Sequence, residues 1–169
     1  HGGGLMNYGI GPLTIIASTI ISNVANDNTG IFGQGGGVTG PARIIASAIL
    51  GNTGRQGGGA YLEGNSVVIN STIAGNQATQ AGGGLFGYAA SVNLYNVTLT
   101  GNQANSDAIG SGNGGGVAVG SGAFNFLNTI IARNTQIVND HGLFLYDDNC
   151  AGTVTASGFD LLGDNGNPV

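Results

Sequence analysis

The chain has 169 residues, enough for one domain, and 35 of them are glycine, about three times the usual ~7% share. Apolar residues make up 41%, which excludes a disordered low-complexity chain, and no collagen period is present. Charged residues are only 7%, with three arginines (Arg43, Arg55, Arg133), no lysine and a net charge of −5. That balance excludes nucleic acid as a partner, since phosphate binding needs clustered Lys and Arg. It also excludes attraction to an anionic membrane surface.

Gly2–Gly4 open the first of five Gly-Gly-Gly triplets, followed by Gly35–Gly37, Gly57–Gly59, Gly82–Gly84 and Gly114–Gly116. Each precedes an apolar or small residue: Leu5, Val38, Ala60, Leu85, Val117. Downstream of each comes an aliphatic residue, two further residues and an asparagine: Ile20…Asn23, Ile49…Asn52, Ile73…Asn76, Leu99…Asn102, Ile131…Asn134. A degenerate sixth copy reads Leu161…Asp164, after the single Gly142.

Aligned on the asparagine, the copies form columns. Eight residues before it stand Ile15, Ile44, Val68, Leu94 and Phe126, and seven before it Ile16, Ile45, Ile69, Tyr95 and Leu127. Six before are Ala17, Ala46, Asn70, Asn96 and Asn128, and five before are Ser18, Ser47, Ser71, Val97 and Thr129. Short β-rich runs such as Leu13–Ile16, Val67–Ile69 and Val92–Tyr95 end on Asn, Gly or Ser, and no helical period survives the glycines. Repeats of this kind predict a solenoid, in which each coil lies about 4.8 Å above its predecessor and like side chains stack on like. The asparagines predict a coil-to-coil hydrogen-bonded ladder at a bend, for which Asn tolerates left-handed geometry. Adjacent apolar residues cannot both face inward on one strand, so a corner lies at the seven-and-eight pair or one member is exposed. The glycines supply positive φ and close backbone approach at another corner.

The fold read from these columns is an all-β, right-handed, single-stranded parallel β-helix of about 5–6 coils, forming one domain over residues 1–169. The triplet-to-Asn distance is 15 to 19 residues, whereas the Asn-to-triplet distance runs 12, 5, 6 and 12. Insertions at Val24–Gln34 and Gln103–Asn113 therefore fall at one corner, and such a face is often the binding face. A third long connection, Thr135–His141, leads into an irregular last coil. The structural repeat positions are Gly37, Gly59, Gly84, Gly116, Asn23, Asn52, Asn76, Asn102 and Asn134.

With GGGL, GGGV and GGGA beside IISN, ILGN, IAGN, LTGN and IARN, the chain resembles the right-handed β-helix arrays of bacterial surface proteins, of the polymorphic outer-membrane-protein type. Its tail, from Asn149-Cys150-Ala151-Gly152 to Leu162-Gly163, resembles the closing coil of large secreted β-helix proteins. The resemblance implies a secreted or surface-displayed passenger, adhesin or wall-associated module and carries over no catalytic residues.

The acids are Asp27, Glu63, Asp107, Asp140, Asp147, Asp148, Asp160 and Asp164. Asp27 and Asp107, both in insertions, lie three coils or roughly 14 Å apart, beyond the ~5–9.5 Å of a glycosidase pair. No catalytic residue and no cofactor is assigned. Calcium needs six to eight oxygens; Asp147 and Asp148 are its candidates, with Asp140, His141 and Asp160 nearby, though the stretch reads as a solvated loop. His1 and His141 suggest no zinc site, and Cys150, the single cysteine, reads as a small buried hydrophobe. The sequons at Asn70 and Asn96 read as chance matches within the coils. Tyr8, Phe32, Tyr61, Phe86, Tyr88, Phe144 and Tyr146 fall near the strands after the triplets, where an aromatic column is core filling or a sugar-binding stripe. The expected function is a non-enzymatic stalk, adhesin or filament subunit at the cell surface or outside the cell, a carbohydrate-active or carbohydrate-binding module being the alternative. With no amphipathic capping helix in view, the expected partners are neighbouring domains, a second copy stacked end to end, or surface polysaccharide. No nucleic acid and no membrane insertion are expected.

Overall fold

The computed structural model describes residues 2–25, 33–88, 90–109, 112–139 and 143–163. His1, Asp27, Phe32, Asp140, His141, Gly142, Asp164 and the Pro168-Val169 end lie outside them. The described residues form strands and turns with no helix. Coil 1 carries β1 (Leu5–Met6), β2 (Leu13–Ile16) and β3 (Thr19–Ile21). Coil 2 carries β4 (Val38–Thr39), β5 (Ala42–Ile45), β6 (Ala48–Leu50) and β7 (Thr53–Gly54). Coil 3 has β8 (Ala60–Glu63), β9 (Ser66–Ile69), β10 (Thr72–Ala74) and β11 (Gln77–Ala78). Coil 4 has β12 (Leu85–Tyr88), β13 (Ala90–Tyr95), β14 (Thr98–Thr100) and β15 (Gln103–Ala104). Coil 5 has β16 (Val117–Val119), β17 (Gly122–Leu127), β18 (Ile130–Ala132) and β19 (Thr135–Asn139). After β20 (Leu143–Asp147), a last partial coil holds β21 (Cys150–Ala151), β22 (Val154–Ala156) and β23 (Leu161–Leu162).

Corresponding strands pair in parallel into stacked sheets. Sheet A is β1-β4-β8-β12-β16-β21, sheet B is β2-β5-β9-β13-β17-β22 and sheet C is β3-β6-β10-β14-β18-β23. Sheet D is β7-β11-β15-β19-β20, in which β20 alone runs antiparallel. The chain is thus a parallel β-solenoid, as its repeats predict.

The core is the set of inward columns. Ile15, Ile44, Val68, Leu94 and Phe126 stack in register through sheet B. Ile20, Ile49, Ile73, Leu99 and Ile131 do so through sheet C. All are buried and belong to one continuous cluster. Ile16, Ile45, Ile69, Tyr95 and Leu127 face outward, so the adjacent pair resolves into one inner and one outer column. The corner follows at once: Ala17, Ala46, Asn70, Asn96 and Asn128 all have φ between 47° and 54°.

The asparagine ladder forms, with one correction. Asn52, Asn76, Asn102 and Asn134 are fully buried, but their own φ is not positive. The left-handed residue is the one before, namely Ser22, Gly51, Gly75, Gly101 and Arg133. Each Asn is therefore free to turn its amide inward along the stack. The Oδ1 of Asn76 accepts from the backbone N–H and the Nδ2 of Asn52, and its Nδ2 donates to Ile49 O and Asn102 Oδ1. The pattern repeats from Asn23 to Asn134. In a buried, low-dielectric column such complete pairing is what makes a polar side chain tolerable.

The ladder explains the glycines. A Cβ on Gly37, Gly59 or Gly84 would sit 2.6 Å from the carbonyl of the matching glycine in the next coil and 3.1–3.2 Å from the ladder amide. On Gly116 it would meet Asn149 O at 2.5 Å and Asn134 Nδ2 at 3.0 Å. Only glycine leaves room for the asparagine.

The last coil departs from the alignment. Leu162, not Leu161, stacks on Ile131, a one-residue shift. The final ladder rung is Asn149, whose Oδ1 accepts from Asn134 N and Nδ2. Side chains also end other columns: Asp148 Oδ2 accepts from Gly114 N at 2.6 Å, and Asp160 Oδ1 from Thr129 N at 2.7 Å. No capping helix is present among the described residues. On this side acidic and amide side chains take acceptor positions of the stack, and the reversed strand β20 runs along the edge of sheet D.

Candidate binding groove

Sheet D leads into the corner that carries the insertions. In coils 2 to 4 the chain leaves sheet D two residues after the ladder Asn and crosses to the next triplet. In coils 2 and 3 the crossing is short. In coils 1 and 4 it is long; of its described parts, Val24, Ala25 and Gly33 lie beside Thr53 and Arg55, and Asp107 and Ile109 border the same hollow from coil 4. The 12-5-6-12 spacing thus becomes a groove of about 510 Å³, with Thr53, Gly54, Arg55, Thr79 and Gln80 of the two short coils as its floor.

The floor's backbone is consumed in coil stacking. Thr53 N donates to Asn23 O at 2.8 Å, Ala25 N to Thr53 O at 2.8 Å, Thr79 N to Gly54 O at 3.0 Å and Gln80 N to Arg55 O at 2.8 Å. Side chains are what remain for a ligand. Asp107 Oδ1 accepts from Ile109 N at 3.0 Å, which fixes that wall as an Asx turn. Sequence reasoning placed Asp107 here and located the face, but gave no role to Thr53, Arg55, Thr79 or Gln80; the alternation of long and short crossings was the signal.

The calcium candidates separate. Asp147 ends β20, half-buried and opposite Thr135. Asp148 is buried, and its carboxylate is held by the N–H groups of Gly114 and Gly115. Burial raises its pKa above the usual 3.8 despite the opposing pull of those two donors. Asp147 and Asp148 are therefore not in a solvated loop, whereas Asp140 and His141 lie outside the described residues. Among the described residues no group of three or more His, Cys, Asp and Glu converges. Cys150 extends the inner column above Val117, packed against the core. Burial, then the Asp148 charge, pushes its thiol up to about 12.

The aromatics divide as well. Tyr61 and Phe86 are buried on the outer side of sheet A, stacked at 5.3 Å, and Tyr88 lies 6.3 Å from Tyr61 and half-exposed. Burial first, then Glu63 and Tyr88, raises the Tyr61 phenol to about 12. Tyr8 and Phe144 are exposed and Tyr146 half-buried, and none of them joins this stack. The sequon residues Asn70 and Asn96 are not core positions: they occupy the exposed left-handed corner, their side chains bonded to each other at 2.9 Å.

Comparison of the chain with protein-family models, with curated proteins and with solved structures found no match.

Proposed function

We propose that this chain is a structural, non-enzymatic β-solenoid module of a secreted or cell-surface bacterial protein, a rigid segment that extends by stacking coil on coil. The asparagine ladder carries the reading. The residues on which the sequence spends its regularity, the triplet glycines and the Asn column, are consumed in joining one coil to the next. The lysine-free, Asn/Thr/Ser/Gly-rich composition supports an extracellular setting.

The edge of coil 1 supports stacking. It offers a concavity of about 610 Å³ bordered by Leu5, Leu13, Ile15 and Ile20. Leu5 is 40% exposed, whereas Val38, its counterpart one coil in, is fully buried. What fits on that edge is another coil of the same repeat, in a stalk, adhesin or filament. On the opposite side β20 runs antiparallel along sheet D, while sheets A, B and C end on the parallel strands β21, β22 and β23.

Sedimentation over a wide concentration range, with electron microscopy, tests this reading. The expected result is rods one solenoid wide that lengthen or pair with concentration. A monodisperse monomer at the highest concentration contradicts stacking, and new reducing or unsaturated ends in a polysaccharide digest contradict the non-enzymatic reading.

A further inference from the structure

The groove of sheet D has a chemistry of its own. Its volume of about 510 Å³ lies within the ~300–1,000 Å³ of small-ligand sites.

Three features select the ligand. First, a peptide that adds as a strand needs an open backbone edge. The floor presents a sheet face whose amides and carbonyls are already paired between coils. Second, an anionic polymer needs clustered cations. The described lining holds one arginine, Arg55, and one aspartate, Asp107, in a chain of net charge −5. Third, the lining presents the hydroxyls of Thr53 and Thr79, the amide of Gln80 and the Asp107 carboxylate. These offer donors and acceptors together, the pattern that adjacent hydroxyls on a ring engage in pairs. Ile109, 77% exposed at the rim, supplies an apolar surface for the C–H face of such a ring.

We propose that this groove binds a segment of neutral oligosaccharide, held by the side chains of Thr53, Thr79, Gln80 and Asp107. The site is independent of end-to-end stacking, because it lies on the flank of coils 1–4 and not on the edge of coil 1.

Calorimetric or NMR titration of the whole chain tests it, using cello-, manno-, xylo- and malto-oligosaccharides as neutral probes and oligogalacturonate as the anionic one. Saturable binding of at least one neutral probe is expected. The double variant Thr79→Val/Gln80→Ala should weaken it at least about tenfold. Thr98→Val, outward on sheet C, should leave it unchanged. Both variants keep the backbone pairing, and an unchanged unfolding midpoint verifies the fold. Silence from all four neutral probes, preference for oligogalacturonate, or undiminished binding by the groove variant overturns the proposal.

Discussion

Replacing Asn76 by alanine removes the middle rung of the ladder. Four hydrogen bonds disappear, to Asn52 N, Asn52 Nδ2, Ile49 O and Asn102 Oδ1. The backbone N–H of Asn52 loses the acceptor that holds it in a fully buried site. Asn52 Nδ2 keeps Ile20 O, and Asn102 Oδ1 keeps the N–H of residue 76. An orphaned buried donor costs ~1–3 kcal/mol and each lost bond ~0.5–1.5 kcal/mol, so the destabilisation should be about 4 kcal/mol. That is a large share of the ~5–15 kcal/mol that holds a typical domain. For a chain of this size it corresponds to a fall in Tm of roughly 10 °C. Asn23→Ala supplies the comparison. Asn23 is half-exposed at the edge, its Nδ2 bonds Asn52 Oδ1 and Ile21 O, and its loss should cost about 1 kcal/mol. Urea unfolding of both variants measures the pair. Costs below about 1 kcal/mol for Asn76→Ala, or equal costs at both positions, would refute the ladder argument.

Other expectations follow from single contacts. Gly59→Ala forces a Cβ to 2.6 Å from Gly84 O and should cost about 3 kcal/mol in denaturant unfolding. Arg133 sits at φ 59°, where three of its four counterparts are glycine; Arg133→Gly should therefore stabilise by about 0.5–1 kcal/mol in the same assay. Asp148→Ala removes the acceptor that ends the glycine column, so amide exchange at Gly114–Val117 should accelerate while that of coils 2 and 3 is unaltered. The Cys150 thiol and Tyr61 phenol, ordinarily at 9.0 and 10.0, are both raised to about 12 by burial. The unfolded chain therefore ionises first, and stability present below about pH 9 should fall progressively toward pH 12. The double variant Cys150→Ala/Tyr61→Phe should flatten that alkaline limb of a pH–stability profile.

The columns were legible because a solenoid imposes register: a side chain that must lie on its like one coil earlier leaves a period in the sequence. The insertion face was legible for the same reason, through the unequal crossings. Which residue bends and which one bonds was not. Asn satisfies both descriptions, and only the backbone shows that the residue before it, glycine, Ser22 or Arg133, turns the corner while the Asn amide points inward. Asn70 and Asn96 are the reverse case, since they do bend and are exposed. The closing coil was least legible, because its ladder rung, Asn149, arrives after β20 reverses direction and so breaks the spacing on which the alignment rests. Asp148 beside it then reads as a loop acid, although its carboxylate accepts from Gly114 N, where a backbone carbonyl of the next coil accepts from Gly57 and Gly82.

The most direct test of the account is NMR-detected hydrogen exchange of the asparagine side-chain amides. If the Asn column locks coil to coil, the Nδ2 protons of Asn52, Asn76 and Asn102 exchange slowly, on the timescale of core backbone amides, while those of Asn70 and Asn96 exchange fast. Fast exchange at Asn52, Asn76 and Asn102 in an otherwise protected core would contradict it.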